Sequence, residues 1–130
     1  MMTTTDFKNY LKQEFPEIKF YVGTINKNDD KCVGVYPRGN VPPNIALGGV
    51  ENTSYSKLPV TLIVHWTQNS SLCEDTANSI YARLFGASGI IVEDIRVISI
   101  EMLDSAPISL GRDENSICEM TIRLNIIYER

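Results

Sequence analysis

The chain is short of positive charge, histidine, paired cysteines and long apolar runs, and each shortage closes off a class of protein. Lys and Arg number 12 against 16 Asp and Glu, for a formal net charge of −4. A protein that grips nucleic-acid phosphates needs a basic face, so sequence-specific or non-specific nucleic-acid binding is not expected. No apolar stretch approaches the roughly 18 residues that cross a bilayer, and no membrane partner is expected. The polar opening MMTTTDFKNY lacks the apolar core of a secretory leader. Cys32, Cys73 and Cys118 are an odd number, about forty residues apart, which suits neither a disulfide framework nor a zinc site. Cys73 falls on a predicted buried helix face and Cys118 on the apolar face of a predicted strand, where a reduced thiol acts as a small hydrophobe. Eight Gly and six Pro in 130 residues exclude a fibrous repeat.

What is present fits one domain, residues 1–130. Hydrophobic residues are 43% of the chain, enough for a single core burying roughly two-thirds of the unfolded surface. The charge is divided unevenly: residues 1–65 carry seven Lys/Arg against six Asp/Glu, and residues 66–130 five against ten. An acidic half gives either ordinary solubilising charge or a surface over which DNA passes without sticking. The chain reads as a soluble cytosolic domain.

Hydrophobic spacing predicts the elements. Phe7, Tyr10, Leu11 and Phe15 share one helical face, with Thr5 or Asp6 as the cap and Pro16 as the stop. Ile18 to Ile25 and Lys31 to Tyr36 read as strands joined in a hairpin by the polar cluster Asn26 to Asp30. Pro37 to Leu58 holds three prolines and three glycines without periodicity, and reads as a long loop of the functional kind. Pro59 to Thr67 is β-branched throughout and apolar on both faces, as a central strand would be, with its proline in the first position. A helix follows, with Ser71 and Glu74 spaced as a capping box and Cys73, Ala77, Ile80, Tyr81 and Leu84 as its buried stripe. Gly86 is placed to end it. Ile90 to Leu103 is strand material with a break near Asp94, Pro107 marks a kink or edge, and Gly111 to Asn115 is a turn. In the last strand Cys118, Met120, Ile122, Leu124, Ile126 and Tyr128 alternate with Glu119, Thr121, Arg123, Asn125 and Glu129, with Ile127 the exception. The order predicts an α+β fold: an antiparallel-rich mixed sheet, two helices packed on one face and one long loop.

Catalytic chemistry finds little support. His65 is the single histidine, inside a strand, with no nucleophile motif beside any serine or cysteine. Gly48-Gly49 lacks the strand and helix that a phosphate-cradling turn requires. The acidic pairs Asp29-Asp30, Glu74-Asp75, Glu93-Asp94 and Asp113-Glu114 fall in turns, at a helix start or beside a strand, where solvation and the helix dipole account for them. No catalytic residue, cofactor or metal ligand is assigned.

Five segments carry a resemblance: PPNIALGGVE at Pro42 to Glu51, VTLIVHWT at Val60 to Thr67, ANSIYARL at Ala77 to Leu84, PISLGRDEN at Pro107 to Asn115, and RLNIIYER at Arg123 to Arg130. In this order and spacing the chain resembles the minor capsid and tail-terminator proteins of long-tailed bacteriophages and prophages of Gram-positive bacteria. The likeness covers most of the chain past about residue 35. Members often have glycine after D-E-N, where this chain has Ser116. The resemblance implies a structural protein that forms a six-membered ring, caps the tail tube and joins it to the head. Its implied partners are further copies of itself, the tail-tube protein and a head–tail connector. Its implied place is the virion, after synthesis in the host cytoplasm.

A closed head-to-tail ring needs two different complementary patches on one subunit. The long loop with its approaches (Arg38, Val41, Ile45, Leu47, Val50 and Tyr55) is one candidate. The edge carrying Ile108 and Leu110, and the outer face of the last strand with Arg123, Asn125 and Ile127, are others. Two other readings compete with the tail terminator: another head-completion protein, and a small cellular ligand-binding or adaptor domain using the loop as its site.

Overall fold

A computed structural model describes residues 2–23, 31–38 and 55–129. Helix α1 (Thr4–Glu14) leads into strands β1 (Lys19–Val22), β2 (Cys32–Pro37) and β3 (Tyr55–His65). Helix α2 (Ser70–Leu84) follows, then β4 (Ile90–Val92), β5 (Ile95–Met102), β6 (Ile108–Arg112) and β7 (Cys118–Glu129). The seven strands form one curled, mixed and mostly antiparallel sheet in the order β1-β2-β3-β7-β5-β4, with β6 also paired to β7. This is the expected α+β architecture. The predicted long loop Pro37 to Leu58 is shorter at both ends, since Pro37 closes β2 and Tyr55 to Leu58 open β3; its residues 39–54 lie outside the described residues, as does the predicted turn at Asn26 to Asp30.

The β3–β7 pair is the spine. Val60, Leu62 and Val64 sit opposite Leu124, Ile122 and Met120, and all six are buried. Phe7 and Leu11 of α1 and Cys73, Ala77, Ile80 and Leu84 of α2 join them in one core, with α2 packed on β7 and β3 and α1 on β1 and β2. Tyr81 packs against the core only in part.

Several local expectations are corrected. Thr3, not Thr5 or Asp6, caps α1: its hydroxyl accepts from Asp6 N at 3.1 Å and its own N–H donates to Asp6 Oδ2 at 3.0 Å. Asp6 thus completes a reciprocal box instead of opening the helix. Asn69, not Ser71, caps α2, its Oδ1 accepting from Ser71 N and Leu72 N at 3.0 and 3.3 Å. Asn69 lies two residues before Ser71 and is as good a cap, so the box spacing alone did not fix the start. Gly86 holds φ +73° just past the helix, as its place implies.

β1 and β2 are parallel, not a hairpin, with Lys19 opposite Cys32 and Val22 opposite Val35. β1 has four residues, so the chain need return only about 10–13 Å. The nine residues Gly23 to Lys31 span that with ease.

β3 begins four residues before Pro59, which therefore lies inside a central strand. Within a strand the N–H and C=O of one residue point to the same side. The Pro59 carbonyl accepts from Arg38 N at 3.1 Å, so the missing donor falls on the last rung beside the end of β2, where little is lost.

The break near Asp94 is a tight turn: Glu93 and Asp94 have φ +47° and +65°, the mirror-image geometry that follows strand twist. β5 and β6 share one side of β7 end to end. β5 takes Leu124–Tyr128 and β6 takes Cys118–Thr121, with the Pro107 segment between them. All five residues of β6 are exposed.

Candidate interaction surface

The side of β7 turned away from the helices is not a plain polar surface. Arg38, directly after β2, lays its guanidinium over the Val60–Leu124 rung. One nitrogen donates to the Val60 and Leu124 carbonyls at 3.1 and 2.9 Å, and the other to Asn125 Oδ1. Asn125 Nδ2 donates in turn to Glu101 Oε1 at 3.0 Å. Asn125 is only 5% exposed, so it is satisfied on both sides within the protomer.

Arg123 grips Asp104 with two parallel bonds, Nε to Oδ2 at 2.9 Å and Nη2 to Oδ1 at 2.7 Å. This pairing lowers the Asp104 carboxyl below its ordinary range and raises the Arg123 guanidinium. Burial, with Arg123 nearby, lowers Arg38. The Tyr81 hydroxyl donates to the Asp104 carbonyl at 2.7 Å, tying α2 to the same corner. Glu101 and Asp104 were not singled out by sequence reasoning. Only the β5–β7 register, with Glu101 opposite Asn125, brings them to the arginines.

Tyr55 and Ile127 are half-buried. Ile108 and Leu110 stand out from β6, 41% and 52% exposed. Val41, Ile45, Leu47 and Val50 lie outside the described residues. The structure therefore brings Arg38, Arg123 and Asn125 together and sets Ile108 and Leu110 at a separate margin.

His65 is buried, its Nδ1 3.0 Å from Glu119 Oε2 and its Nε2 3.7 Å from Asp113 Oδ2. Cys32 stands opposite it across the β2–β3 ladder and is equally sealed from solvent. None of the three cysteines is joined in a disulfide, and all three are buried. Burial, with a bond from Sγ to the Cys118 carbonyl at 3.3 Å, pushes the Cys73 thiol up to about 12. That keeps it protonated and a poor nucleophile near neutral pH.

A cleft of about 200 Å³ lies among Phe15, Glu17, Ile18, Trp66, Thr76, Ser79 and Ile80. The hydroxyls of Thr76 and Ser79 bond back to the Leu72 and Asp75 carbonyls, so they do not converge on a ligand. Among the described residues no cluster of His, Cys, Asp and Glu is arranged to hold a metal ion, and no helix is long and apolar enough to cross a membrane.

What the surface offers is shape, strand edges and exposed apolar side chains, which are means of fitting against other proteins. No curated protein matches the chain. The family model described as bacteriophage tail terminator protein matches residues 3–130. With all but the first two residues covered, the chain belongs to the bacteriophage tail terminator family, structural proteins of the virion.

Proposed function

We propose that the chain acts as a ring-forming subunit, six copies joining head to tail to cap the finished tail tube and link it to the head. The observation that carries this is β6, a five-residue strand exposed along its whole length and bearing Ile108 and Leu110. A bare apolar edge of this kind is a liability unless something covers it. A second copy supplies a cover through a different patch of its own surface, which is the condition for a ring. The partners on this reading are further copies of the chain, the tail-tube protein and a head–tail connector. The apolar side chains of Val41, Ile45, Leu47 and Val50 supply a second contact patch, flanked by Arg38 and Tyr55. The buffered polar face around Arg123 and Ile127 is the third. No residue is given a catalytic part.

Light scattering at high micromolar concentration, together with electron microscopy of the protein mixed with tail tubes, tests the proposal. Rings, or caps on tube ends, are expected. A protein that stays monomeric alone and leaves every tube uncapped removes it.

A further inference from the structure

The strand registers line up across the sheet. Lys19 stands level with Cys32, His65, Glu119 and Gly111, and two rungs on, Tyr21 stands level with Gly34, Ile63, Thr121 and Ile108. β1 and β6 are therefore the two margins of one five-strand row, β1-β2-β3-β7-β6. Among the described residues each is paired on one side only. The senses follow from the ladders: β1 is parallel to β2, and each later pair is antiparallel. β6 therefore runs opposite to β1.

We propose that β6 of one copy receives β1 of the next as an antiparallel strand, so that the sheet continues from protomer to protomer; this rests on the head-to-tail reading above. Copies repeated along the row meet with the sense that antiparallel pairing requires, and the twist between strands turns each copy relative to the last. The side chains agree. Tyr21 of one copy arrives beside Ile108 of its neighbour, covering apolar area that is open in a single protomer. Lys19, exposed at the start of β1, arrives toward the acidic Asp113-Glu114 turn that follows β6. Unlike charges thus meet at one end of the joint and apolar groups at the other, which fixes both register and direction. Two different edges make the contact, so it is heterologous and can close.

A second row exists, from the Tyr55 end of β3 through β7 and β5 to β4. Its outer margin is the weaker template, since β4 has three residues and turns at once into Glu93-Asp94.

Two full-length variants, Tyr21→Cys and Ile108→Cys, are mixed, assembled on tail tubes or at high concentration, and gently oxidised. Residues directly opposed in an antiparallel pair have Cα atoms about 4.5–5.5 Å apart, within disulfide range. The mixture is expected to give a covalent dimer that neither variant gives alone, and the double variant a ladder of oligomers. Ile108→Asp is expected to weaken association about tenfold while leaving the thermal midpoint of the protomer unchanged. Rings that form but do not cross-link, or that cross-link through Ile91→Cys and Tyr55→Cys instead, overturn this joint and leave the ring itself standing. A protein that never assembles, alone or on tubes, overturns the head-to-tail reading and the joint with it.

Discussion

Arg38 and Asn125, 87 residues apart in sequence, are joined by a side-chain hydrogen bond that closes the outer face of the sheet over its central rung. The same guanidinium holds two backbone carbonyls, Val60 O and Leu124 O, so one side chain ties the end of β2 to both strands of the spine.

Replacing Arg38 by Ala removes three donors at once and leaves a nearly buried amide oxygen without its partner. A loss of about 2–3 kcal/mol is expected, read as a lower urea midpoint with an unchanged slope. Arg38→Lys should recover less than half of it, because an ammonium cannot reproduce the planar fork.

Ser116 sits at φ +63°, in the left-handed region that glycine enters without steric cost. The Asp113 carboxylate fixes this turn by accepting from Asn115 N and Ile117 N at 2.8 and 2.9 Å. Ser116→Gly is expected to raise stability by about 0.5–1 kcal/mol, seen as a rise of a few degrees in thermal midpoint. The turn holds with serine here because its side-chain and backbone bonds fix it.

The Arg123–Asp104 pair sets an acid dependence. Its bonds lower the folded Asp104 carboxyl below the ordinary value of 3.8. The stabilisation is therefore complete above that value and is lost as pH falls through the lower folded one. Comparing urea midpoints of the parent chain and Asp104→Asn from pH 6 down to pH 2 should show a gap at pH 6 that narrows on acidification. A gap independent of pH would assign the effect to packing.

Cys73, with its thiol raised to about 12 by burial, should resist maleimide at pH 7.5 for as long as the fold holds. Cys32 and Cys118 are buried too, so labelling of all three should follow global unfolding in urea. Above pH 9 the unfolded thiol ionises while the folded one does not, so stability should fall as pH rises through that range.

Patterns that repeat along one segment were legible in the sequence. The six apolar positions of β7 from Cys118 to Tyr128, and the stripe Cys73, Ala77, Ile80, Leu84, each report burial by their own spacing. Sense was not. Phe20, Val33 and Val35 bury the same side whether β1 and β2 run parallel or antiparallel, and a link of nine residues serves either. Asn125 shows the other limit. A polar residue on the outer parity of an alternating strand reads as solvent-facing, and only Arg38, reaching in from the far side of β3, makes it interior.

The end-to-end arrangement of β5 and β6 along β7 separates two duties. β5 lends Val97 and Ile100 to the core, whereas β6 lends it nothing. The side chains of Ile108 and Leu110, which face outward, can therefore be exchanged by mutation at little expense to folding, and this lets a subunit change the neighbour it fits while the body that presents the fit stays the same.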